Sequence, residues 1–159
     1  MKHLLSLRRP ALTSLAVAAV AMAIGGISLA HAGGHSAGQH RITLKEVQTG
    51  QAFVDISHTK NGKPGDGFIF HSRLFNRGGT QVGTLDVQCT LMLSHHAQCL
   101  GTVTLPGGTL SVTALSPTGN APTHIAINGG TGRYAKVRGQ GVSFSTGQNT
   151  SRDVLYLTY

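Results

Sequence analysis

From Arg41 onward the chain alternates short runs of β-forming residues with tight glycine turns, and no stretch keeps a helical period for more than about two turns. Phe68-Ile69-Phe70-His71-Ser72-Arg73-Leu74 is such a run, and Asn76-Arg77-Gly78-Gly79 turns it into a second over Val82–Leu93. Ser94-His95-His96-Ala97 leads to Gln98–Leu105, and Pro106-Gly107-Gly108 to Thr109–Leu115. After a loop holding Pro117, Gly119 and Pro122 come His124–Asn128, Gly139–Ser145 and Val154–Tyr159. Arg41–Gln48 supplies the first strand, which makes about eight. Cys89, Leu91 and Leu93 share one face of their strand. Cys99, Val103 and Leu105 share one face of the next, with Gly101 between them, while Thr90, Thr102 and Thr104 take the opposite faces. Short strands at this spacing predict an antiparallel barrel or sandwich. The one helix-like piece is Gly132–Val137.

Composition agrees. Only 11% of the residues are charged and 22 of the 159 are Gly, which suits turns and strands rather than solvated helices and argues against a disordered chain or a coiled coil. The formal net charge of +8 invites a polyanion partner. Part of that charge lies in Met1–Ala32, which reads as a secretory signal peptide. Lys2, His3, Arg8 and Arg9 form a basic head, Ala11–Leu29 is apolar, and Ala30-His31-Ala32 is a small-residue cleavage signal. Cleavage removes three of the thirteen basic residues and none of the five acidic ones. What remains holds no long basic cluster, and the sparse aromatics are not interleaved with Arg or Lys along the chain. Nucleic acid is therefore not expected, and neither is stable membrane insertion. A mild attraction to anionic surface polymers is the charge effect left. The expected organisation is a signal peptide at 1–32, a flexible Gly/His/Ser tail at 33–40 and a secreted β-barrel domain at 41–159.

Cys89 and Cys99 are the only cysteines. A tight turn near His95 sets them roughly opposite each other across a hairpin, and export to an oxidising compartment favours a disulfide, with two buried thiols as the alternative. Among ionisable residues, His71 and Asp66 are weak catalytic candidates, because an imidazole near a carboxylate moves a proton at neutral pH. The plainer alternative has Asp66 capping a turn and His71 satisfied by a backbone group. No nucleophile elbow is present, and no paired-His metal spacing. Cleavage after Ala32 would leave Gly33-Gly34-His35 as the new terminus, whose amine, two backbone nitrogens and imidazole suit square-planar Cu(II) or Ni(II). No metal is expected in the barrel, and no cofactor.

A longer pattern carries a resemblance. Gly65-Asp66, Val82-Gly83, Cys89-Thr90, Cys99-Leu100-Gly101-Thr102 and Leu105-Pro106-Gly107-Gly108 lead to Ala126-Ile127-Asn128-Gly129-Gly130-Thr131-Gly132-Arg133-Tyr134 with Arg138-Gly139. Together they resemble the secreted bacterial branch of the allene oxide cyclase barrel and dirigent protein superfamily, from about Gly65 to Tyr159. The resemblance implies an all-β fold, a closed eight-stranded antiparallel barrel around an apolar cavity, often trimeric in plants. It implies a small apolar ligand held in a folded pose, so that isomerisation, cyclisation or stereoselective coupling is guided by confinement and exclusion of water. A non-enzymatic surface module with a filled barrel is the alternative. By the same resemblance Gly129, Gly130, Thr131 and Gly132 form a structural turn, Cys89 matches a cavity-lining position, and His71 falls near a polar cavity position. Arg133 stands where many dirigent proteins carry an acid.

Overall fold

The computed structural model describes residues 38–59, 62–117 and 119–159. The expected signal segment and Gly33-Gly34-His35 lie outside the described residues. Eight antiparallel strands close into one barrel in chain order: β1 (His40–Val54), β2 (Gly67–Phe75), β3 (Gln81–Leu91), β4 (His96–Leu105), β5 (Gly108–Pro117), β6 (Thr123–Gly130), β7 (Arg138–Gly147) and β8 (Thr150–Thr158). β1 pairs with both β2 and β8, which removes every free sheet edge.

The alternation decides which side chains enter the barrel. Phe68, Phe70, Ser72 and Leu74 of β2 point inward, and Ile69, His71 and Arg73 point out. One end of the barrel carries the β1–β2 connection (the 55–66 loop, described at 55–59 and 62–66), the Met92–His95 turn, residues 119–122 and the β7–β8 hairpin; we call this the mouth. At the other end, the base, lie the Asn76–Thr80 turn, the β4–β5 turn and a single turn of 3-10 helix at Gly132–Tyr134. The base half is solid. Leu74, Leu105, Leu110, Ile127, Val137 and Leu157 fill it, each at most 8% exposed.

The glycine turn makes that seal. A Cβ on Gly130 would collide with the Thr109 carbonyl oxygen. Gly132 has φ +57°, and a Cβ there would strike the Gly107 carbonyl oxygen. Because both lack one, the chain lies against the start of β5. Thr131 N–H donates to the Thr109 carbonyl at 2.9 Å, Arg133 N–H donates to the Gly107 carbonyl at 2.9 Å, and Tyr134 is buried over the base.

Three boundaries differ from the sequence expectation. β1 does not stop at Gln48 but passes a bulge between Gln48 and Gly50 and runs to Val54, so the Thr49-Gly50 pair bends the strand instead of ending it. β8 starts at Thr150 rather than Val154, because Ser151 and Asp153 are inward-facing positions with polar side chains, which hides the alternation. β3 ends at Leu91 because Met92–His95 makes the turn, with His95 at φ +58°.

Candidate functional site

The mouth half of the barrel is not filled. A cavity of about 160 Å³ lies between the strands, walled by Phe68, Phe70, Val87, Val112 and Ile125 and by the Cys89–Cys99 disulfide. Gly101 faces this space, where a Cβ would stand 2.9 Å from Val112 Cγ2, so its missing side chain is part of the volume. A second, polar hollow of about 250 Å³ shares Glu46, Phe70, Thr123 and Ser143 with the cavity and extends past Gln48, Asn149 and Ser151 toward the β7–β8 hairpin. The cavity is thus an apolar chamber with a polar vestibule.

Two carboxyl groups line the chamber, and one of them, Glu46, also borders the vestibule. Glu46 is on the inner face of β1 and Asp153 on the inner face of β8, and they are only 9% and 5% exposed. β1 and β8 pair Glu46 with Ser151 and Leu44 with Asp153, so the two acids are diagonal neighbours. Ser72 Oγ donates to Glu46 Oε1 at 2.6 Å, and Ser151 Oγ donates to Glu46 Oε2 at 2.7 Å. Ser151 Oγ also lies 3.5 Å from Asp153 Oδ1. Burial, and then the negative charge of Glu46, push the Asp153 carboxyl up to about 7, while hydrogen bonds from Ser143 and Ser151 pull less strongly the other way. Asp153 therefore exchanges its proton near neutral pH rather than in acid. A carboxyl poised there can give a proton to a bound molecule or take one from it.

The residues singled out in the sequence occupy other places. His71 is on the outer face of β2, its Nδ1 2.7 Å from Asp86 Oδ1, and Ser72 takes the inward position beside it. Asp66 is not near His71's ring but folds the 55–66 loop. Its carboxylate accepts from the backbone N–H of Ile56 (2.9 Å), Ser57 (2.7 Å) and Lys63 (2.7 Å) and from the Ser57 hydroxyl (2.7 Å). The Lys63 amide is the main cause that holds its carboxyl down at about 2, with the Ser57 and Ile56 bonds adding to it. Cys89 and Cys99 are direct cross-strand partners, joined as a disulfide, and both line the cavity. Gly129, Gly130, Thr131 and Gly132 sit at the base, away from the chamber. Sequence reading passed over Glu46 and Asp153. The available signal was parity: in Ile42-x-Leu44-x-Glu46 and Asp153-x-Leu155-x-Leu157 an acid occupies an inward position. Among the described residues no cluster of three metal-ligating side chains occurs, and those lining the chamber include no His, Met or free Cys that could serve as an axial haem ligand.

No protein-family model and no curated protein matches the sequence. Solved structures do. A pyocyanin demethylase is 28% identical, with a TM-score of 0.67, over 75% of this chain and 100% of that one. A pterocarpan synthase dirigent protein is 17% identical, with a TM-score of 0.61, over 76% of this chain and 85% of that one. A nonspecific haem-binding cyclase that catalyses a cycloaddition in neoabyssomicin biosynthesis is 21% identical, with a TM-score of 0.62, over 75% of this chain and 64% of that one. This chain has the barrel of the dirigent and allene oxide cyclase type, as the glycine-turn pattern implied.

Proposed function

We propose that the protein is an extracytoplasmic barrel that takes a small, largely apolar ring-bearing molecule into its chamber and guides a proton-coupled isomerisation, cyclisation or stereoselective coupling there. The observation that carries this reading is the placement of the buried Glu46–Asp153 pair in the wall of an apolar chamber, with Glu46 also bordering a polar vestibule. An apolar cavity of roughly 150 Å³ accommodates one benzene-sized ring. One ring therefore fits the chamber, and the rest of a larger ligand would extend past Thr123 and Ser143 into the vestibule. The apolar walls hold the reactive atoms in one pose and exclude water, and Asp153 supplies or removes the proton. The barrel neighbours named as a cycloaddition-catalysing cyclase and a pterocarpan synthase dirigent protein support this class of reaction, and the pyocyanin demethylase supports a ring-bearing guest. The disulfide and the signal-like leader support secretion. Self-association as a trimer would use the concave outer surface of β2–β4, where Ile69 and Leu100 are exposed.

The test is a titration of the protein with pyocyanin and with indole, followed by absorbance or fluorescence. Saturable binding that is lost in Ala114→Leu, a substitution that fills the chamber beside Cys99, supports the reading. If neither aromatic binds at millimolar concentration, or if Ala114→Leu leaves binding unchanged, the chamber is not the ligand site.

A further inference from the structure

The chamber and the vestibule share one electrostatic feature: every charged group in their walls is an acid. Among the described residues that line the two spaces, Glu46 and Asp153 are the charged side chains, and no Lys, Arg or His stands with them. The cations nearest in the chain are turned away. Lys45 and Arg152, next to Glu46 and Asp153 in sequence, pair with each other across β1 and β8 and are exposed on the outer face. The single ion pair among the described residues, His71 with Asp86, is also on the outside.

Hydroxyl groups are what the two acids have instead. Ser72 and Ser151 donate to the two oxygens of Glu46, and Ser143 and Ser151 bond to Asp153. A neutral hydroxyl eases the desolvation of a carboxylate but does not cancel its charge. Because the pair gives up its last proton near neutral pH, the wall is negatively charged there. Buried charge is costly unless it is paired, and Glu46 and Asp153 are buried. They face a cavity rather than packed side chains, so an opposite charge can reach them from within it.

The rest of the wall decides what kind of cation. Phe68 and Phe70, stacked with ring centroids 6.2 Å apart, line the chamber, and Phe70 borders both spaces, as Glu46 does. Aromatic rings and carboxylates in one cavity suit an organic cation, whose N–H groups meet the carboxylates while its carbon frame lies against apolar wall. A metal ion fits poorly. Among the described residues no three His, Cys, Asp or Glu side chains converge, and walls of Leu85, Val87, Ile125 and Leu155 cannot replace the oxygen ligands of a hydrated ion. An anion would meet only repulsion. We propose that the ligand supplies the counter-charge: the chamber selects a ring-bearing molecule with a basic nitrogen, bound as its cation with the nitrogen at Glu46 and Asp153. This rests on the chamber being the ligand site and narrows its guests to nitrogen bases. Neutral rings would fill the same space without compensating the wall, and ring carboxylates would be turned away.

The experiment compares three ligands that carry one ring each and differ in charge: benzylamine, which is protonated at pH 8, benzyl alcohol and benzoate. Calorimetric titration of the whole protein at pH 8 in about 0.3 M salt suppresses attraction to exposed charges. Benzylammonium should bind at least about tenfold tighter than benzyl alcohol, the scale of one charge-assisted hydrogen bond, and benzoate more weakly than either. Glu46→Gln and Asp153→Asn should each narrow the gap between amine and alcohol, and the double variant should close it. If a variant fails to fold, the ranking of the three ligands by the wild type still decides. Equal affinity for amine and alcohol, a gap that survives in the folded double variant, or displacement of benzylamine by millimolar calcium chloride overturns the proposal and leaves the chamber as a ligand site. Binding of none of the three, or amine binding that is unchanged in Ala114→Leu, overturns both the proposal and the chamber reading.

Discussion

Glu46 and Asp153 are diagonal neighbours on the inner wall of the β1–β8 pair, and the Ser151 hydroxyl lies within 2.7 Å of the first and 3.5 Å of the second. A strand position that should carry a Val or Leu instead carries an acid on each side of that hydroxyl. Two buried carboxylates this close cannot both ionise cheaply, so the pair gives up its last proton only near neutral pH. Burial and the neighbouring Glu46 raise the Asp153 carboxyl to about 7.

This makes stability fall as the pH rises. The unfolded chain releases the Asp153 proton near its ordinary value of 3.8, while the folded chain keeps it to about 7. Between those values the folded state binds more protons, so the Asp153 contribution is complete below about 4 and lost above about 7. Asp153→Asn should flatten that part of the profile and leave the protein more stable than wild type at pH 8. Denaturant unfolding at pH 5, 6.5 and 8 checks it; parallel profiles for the two proteins would refute it.

Asp66 has the opposite sign. Its carboxyl is lowered to about 2, so the hydrogen bonds it accepts from the 55–66 loop persist at neutral pH and fail only in strong acid. Asp66→Asn should raise amide hydrogen exchange at Ile56, Ser57 and Lys63 while leaving strand amides protected. Unaltered exchange at those three positions would show that the loop is held by other contacts.

The disulfide closes a loop with a sequence separation of 10. The chain-entropy relation gives about 2–3 kcal/mol for a loop of that length. Cys89→Ser with Cys99→Ser should cost this much in equilibrium unfolding and should also weaken aromatic ligands, because both sulfurs line the chamber. A stability loss with unchanged ligand affinity would separate the two roles.

Much of the barrel can be read from the sequence, because β-barrel walls alternate and its turns are rich in glycine. Phe68–Leu74 and Gln98–Leu105 alternate cleanly, and their strands fall within two residues of the expected bounds. The functional wall is harder to read for a physical reason. The alternation in β8 is interrupted at Ser151 and Asp153, where inward positions carry polar side chains that line the vestibule and the chamber instead of the core. His71 and Asp66 drew notice as ionisable residues near the recognised pattern, yet parity sends His71 outward and a loop closes around Asp66. The Lys45–Arg152 contact joins opposite ends of the domain in sequence, so only the closure of β1 on β8 reveals it.

The claim that the chamber wall gives up its last proton only near neutral pH is tested most directly by a carbon-13 NMR titration of the Asp153 side-chain carboxyl, assigned with Asp153→Asn. A midpoint close to 7, shifting down toward the ordinary aspartate range in Glu46→Gln, is the expected result. A midpoint near 4 in the wild type, or one that does not move in Glu46→Gln, would contradict the account.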